Sequence, residues 1–67
     1  MTYRVTYSRA HMENRELGEF DSLDDAFDAA ETAGAVIEDR SDIRKDRCFD
    51  VAGHERDDDY AVWIERA

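Results

Sequence analysis

The chain has 67 residues, and its 18 aspartates and glutamates outnumber nine lysines and arginines to give a formal charge of −9. One domain of this length buries only about 60% of the surface its unfolded chain exposes, which leaves a thin core without the walls of a deep substrate pocket, so no enzymatic activity is expected. The charge disfavours direct contact with DNA, RNA or an anionic membrane and favours a basic protein or nucleoprotein partner.

Met1, Tyr3, Val5 and Tyr7 alternate with Thr2, Arg4, Thr6 and Ser8. Period two with aromatic and β-branched residues predicts a strand. Residues 9–15 are polar and read as a turn. Residues 16–20 return as a second, shorter strand with Leu17, and Phe20 as a second candidate, facing inward; Gly18 suits a bulge or tight bend.

Ser22 opens a helix over 22–33. Its hydroxyl is placed to accept from a free first-turn amide, with Asp25 as a weak capping-box partner. Asp24 and Asp25 complement the positive end of the helix dipole. Leu23, Ala26, Phe27, Ala30 and Ala33 recur at spacings of three and four and form one apolar face. Gly34 is placed to end the helix.

Residues 35–38 (Ala-Val-Ile-Glu) predict a strand, 39–47 are charged and ambiguous, and 48–51 predict another strand with Phe49 and Val51 on one side. Residues 52–59 form an acidic loop. Residues 60–64 predict a final strand, with Tyr60, Val62 and Ile64 on one face and Trp63 on the other. The expected architecture is α+β: one small domain over 1–67, ββαβββ or βαβββ, with a helix packed on one face of an antiparallel sheet.

The acidic residues are unevenly spread. Between Glu16 and Asp39 there are nine carboxylates and no Lys, Arg or His, so the rest of the chain is balanced. At about 100° per residue, Asp21, Asp24, Asp25, Asp28 and Glu31 fall within an arc of roughly 120°, opposite the apolar face. The expected outward face is a row of carboxylates without an internal counter-ion. Like charges one turn apart destabilise a helix by a few tenths of a kcal/mol per pair, so the row costs stability unless its field has a use. The plain alternative is a solvated face, or the acidic surface of a salt-adapted protein. The tract Asp57, Asp58 and Asp59 and the lone Trp63 are additional interface candidates; Trp63 either plugs the rim of the core or sits partly exposed on the second sheet face, near Tyr7 or Tyr60.

Other chemistry is sparse. His11, Cys48 and His54 are the soft metal-ligand candidates, and they lack the paired spacing of zinc sites. Cys48 reads as a small buried hydrophobe, and no Cys–His nucleophile has a recognisable context. No glycine-rich phosphate loop or EF-hand pattern occurs. No metal, cofactor or catalytic residue is therefore assigned. One cysteine allows no internal disulfide, no apolar run reaches the roughly 20 residues that span a bilayer, and the N-terminus has no signal-like stretch; the expected location is cytoplasmic.

In its size, its Ser22-Leu23-Asp24-Asp25 helix start, its acidic helix face and its acidic tract 57–59, the chain resembles small phage-encoded anti-CRISPR and related anti-host-defence inhibitors. That resemblance implies a stoichiometric inhibitor that acts in the host cytoplasm as a DNA mimic, placing carboxylates where a target grips nucleic-acid phosphate. It transfers no role to any individual residue. A structural or regulatory accessory domain that forms a homodimer by sheet-edge pairing is the other class the sequence allows.

Overall fold

A computed structural model describes residues 2–9, 12–40, 47–55, 57 and 59–66. Strands β1 (Tyr3–Ser8) and β2 (Arg15–Phe20) precede helix α1 (Leu23–Thr32), which is followed by β3 (Arg47–Phe49) and β4 (Ala61–Arg66). The sheet is antiparallel, in the order β2-β1-β4-β3. The α+β class therefore stands, with α1 packed on one sheet face.

The alternation seen in the sequence sets the two faces. Val5, Val62 and Ile64 are wholly buried, and they meet Ala26, Phe27 and Ala30 of α1. Phe27 and Phe49 contact edge to face, with ring centroids 6.1 Å apart. Ala26 and Ala30 are small enough to let the helix backbone approach the sheet, while Phe27 fills the space beside them.

The predicted irregularity in β2 is a bulge. Val5 pairs with Gly18 but Thr6 pairs with Glu16, so Leu17 is the extra residue. Leu17 and Phe20 lie three apart and would point to opposite faces of a regular strand. The bulge turns both toward the core, where they are partly buried. Gly18 supplies the positive φ, +144°, and a Cβ there would sit 3.3 Å from the Phe20 ring.

The helix begins and ends by backbone geometry. Ser22 is the N-cap residue, and its carbonyl accepts from Ala26 N–H at 3.1 Å, but its side chain makes no capping hydrogen bond. The expected hydroxyl cap is therefore corrected. At the other end Gly34 (φ +103°) donates to the Glu31 carbonyl and Ala35 to the Ala30 carbonyl, the paired bonds of a Schellman motif.

The strand expected at 35–38 is also corrected. Only Ala35 bridges, to Val51, flanked by hydrogen bonds from Val36 to Asp50 and from Ala52 to Gly34. The apolar run is three residues long, and the charged chain after it turns back beside α1, as Arg40 shows. The strand expected at 48–51 is corrected to β3, which starts one residue earlier and ends at Phe49, with Val51 contributing the bridge, and the arrangement is ββαββ.

A candidate acidic interface

The outward side of α1 carries Asp24, Asp25, Asp28 and Glu31, and Asp21 stands just before the N-cap, outside the helix, which corrects its expected place in the helical row; all five are exposed. Helical periodicity brings the four helical carboxylates to one side because the apolar residues of the opposite arc are held on the sheet.

The expectation of a row without an internal counter-ion is overturned. The Arg40 guanidinium lies across one flank, with Nη2 donating to Asp28 Oδ1 at 2.8 Å and Glu31 Oε1 at 2.9 Å. Its Nη1 stands 3.6 Å from Asp24 Oδ1. The group also rests over the Phe27 ring, 5.5 Å from its centroid. Hydrogen bonds to Asp28 and then Glu31 raise the Arg40 pKa above its ordinary value. Arg40 is one residue beyond the acid-only block, and only the turn after Ile37 returns it to the helix.

The clamp divides the face. Asp24, Asp28 and Glu31 lie toward Phe27 and share one cation. Asp21 and Asp25 lie on the other flank, toward β2, and have no ion-pair partner among the described residues. Asp24 and Asp28 remain well exposed, with 79% and 67% of their side-chain surface accessible. An incoming cation can therefore reach them beside Arg40.

Trp63 is 39% exposed on the sheet face away from α1. There it lies opposite Thr6 on one side and Cys48 on the other. Tyr7 and Tyr60 pack against the core on the helix side, so neither shares its face with Trp63. Trp63 and the acidic helix face are thus on opposite sides of the domain. On the same open face Arg4 pairs with Glu16 and Glu19 at 3.0 Å each, and with Glu65 at 4.0 Å. Of the acidic tract, Asp57 Oδ1 accepts from Asp59 N–H at 3.0 Å, a contact internal to the loop. Asp58 lies outside the described residues.

Cys48 was expected to be buried and is exposed. Its parity in β3 places it with Trp63 on the uncovered face. Its thiol is nonetheless pushed up, first by desolvation among its neighbours and then by Asp50. His54 stacks on Tyr60 with centroids 3.8 Å apart, while His11 lies outside the described residues. Among the described residues no three His, Cys, Asp or Glu side chains converge to hold a metal ion. No described helix is long and apolar enough to cross a membrane. The described residues line open clefts of about 360 Å³ each, one by residues that include Glu38, Asp39, Arg47 and Cys48, another between β2 and α1.

No protein-family model, curated protein or solved structure matches the chain.

Proposed function

We propose that the domain is a non-enzymatic acidic binding protein, a stoichiometric inhibitor of a basic nucleic-acid-handling complex in the cytoplasm, of the kind phages direct against host defence. The observation that carries this reading is the set of five outward carboxylates, four on α1 and Asp21 just before it, which outnumber Arg40, their one counter-ion among the described residues, five to one. Carboxylates on successive helical turns lie about 5–6 Å apart, comparable to the spacing of phosphates along a strand. A basic groove that closes on such a row loses the surface it needs for nucleic acid. Lys and Arg of the partner would engage the free oxygens of Asp24 and Asp28 and the unpaired Asp21 and Asp25. The field speeds encounter and weakens with salt.

The test is affinity capture with tagged protein at low and high salt, read by mass spectrometry, with the Asp24→Lys/Asp28→Lys variant in parallel. The reading requires a basic nucleic-acid-binding complex that is recovered at low salt and lost in the variant. Equal recovery by the variant overturns it. Recovery of the domain alone at both salts also overturns it, and points to a self-associating or solitary protein.

A further inference from the structure

We infer that the free edge of β2, with the groove between β2 and α1, takes an extended peptide added as a fifth, antiparallel strand. The peptide carries a basic residue at one end, apolar residues at alternate positions, and a carboxylate at the other end.

The site follows from topology. β2 is an outer strand of the sheet, so along six residues half of its backbone donors and acceptors have no strand partner among the described residues. β2 leads through two residues into α1, which doubles back along it. The C-terminal turn of the helix therefore comes to lie beside the start of the strand. Between them is the groove of about 360 Å³ lined by Arg15, Leu17, Ala29, Thr32 and Ala33. Leu17 reaches it because the bulge turns that side chain to the helix side. Ala29 and Ala33 leave it unfilled. An added strand would project alternate side chains into this space while its backbone bonds the edge.

Charge fixes the chemistry and direction of the occupant. Asp21 and Asp25 stand at the end where β2 passes into α1, on the flank the Arg40 clamp leaves uncompensated. Arg15 stands at the other end and has no carboxylate partner among the described residues, although the chain has 18 acids. A peptide with its basic N-terminal residue at Asp21 and Asp25 and its C-terminal carboxylate at Arg15 runs antiparallel to β2. A second copy of this chain fits poorly, because two β2 strands paired over all six residues would oppose their Glu16 and Glu19 side chains. The inference rests on the domain being a binding protein; it shares Asp21 and Asp25 with the inhibitor face and uses neither Asp24 nor Asp28.

The probe is acetyl-Arg-Thr-Val-Thr-Val with a free C-terminal carboxylate, titrated to millimolar concentration into ¹⁵N-labelled protein in 0.15 M salt. Amide shifts are expected in Arg15–Phe20 and across 29–33. Two N-methylated versions, one at both threonines and one at both valines, separate edge-facing from solvent-facing amides. One version should bind about tenfold more weakly and the other nearly as well as the parent, since lost backbone hydrogen bonds have that size. Ala29→Leu should weaken binding similarly by filling the groove, while Asp24→Asn/Asp28→Asn should leave it intact. Intact binding there upholds the edge site whatever becomes of the inhibitor reading. The inference is overturned if both N-methylated probes bind like the parent, if shifts are confined to the Asp24–Asp28 face, if no shifts appear, or if sedimentation shows a dimer in which intermolecular NOEs place β2 against a second copy.

Discussion

Replacing Phe27 by alanine removes the bulkiest of the fully buried side chains. Phe27 joins α1 to the sheet, meets Phe49 edge to face, and supports the Arg40 guanidinium. Truncating a buried phenylalanine costs about 3–5 kcal/mol. A 67-residue domain has roughly 3–10 kcal/mol in total, so the variant should be largely unfolded or close to its midpoint. With a urea slope of about 1 kcal/mol per molar, the midpoint should fall by about 3–5 M. Circular dichroism at 222 nm during urea titration reads the change. Phe20→Ala, at a partly buried position, is the comparison and should cost visibly less. A loss under about 1 kcal/mol for Phe27→Ala would mean that this side chain does not seat the helix, and the core assignment would fall with it.

Gly18→Ala should cost about 1–3 kcal/mol, since it combines a positive φ with a Cβ pressed on the Phe20 ring. Gly53→Ala should cost less, because a Cβ there meets nothing within 4 Å; equal losses in urea titrations would refute the close-contact argument. Arg40→Ala should raise the association rate with a basic partner a few-fold at low salt, measured by stopped-flow, with the gain vanishing at high salt; a slower rate would mean that Arg40 is itself part of the interface. The Cys48 thiol should alkylate with a pH midpoint above that of the urea-unfolded chain, and Asp50→Asn should lower it. Because the folded state raises this pKa, stability should decline as pH climbs through the unfolded thiol's pKa; coincident folded and unfolded midpoints would exclude the shift.

The helix and three of the strands were readable because each combines a clear period with a boundary signal. Gly18 and Gly34 marked the bulge and the helix end through the backbone angles that glycine tolerates. The run after Gly34 misled because Ala35 and Ile37 alternate with Val36 as a strand would, yet only Ala35 finds a partner. Alternation reports which side of the chain is buried, and it does not report whether a neighbouring strand is present. The acidic face followed from local geometry, since four residues on one helix share a side by spacing alone. Its counter-ion did not. Arg40 stands nine residues beyond Glu31, and bringing it back depends on a turn that no residue type announces. The groove beside β2 was hidden for the same reason, because Arg15 and Ala33 meet only once the strand and the helix have docked.

The sheet order has a consequence for how the protein comes into being. The central pair is β1 with β4, the first and last of the four strands to be synthesised, and about fifty residues separate them. Closing a loop of that length costs roughly 3–4 kcal/mol of chain entropy before any contact across it is made. The β1–β2 hairpin and α1 emerge from the ribosome first, but a lone hairpin is at best marginally stable, and the side chains that complete its core, Val62 and Ile64, are not yet made. The domain therefore folds after release of β4, as one cooperative and comparatively slow event.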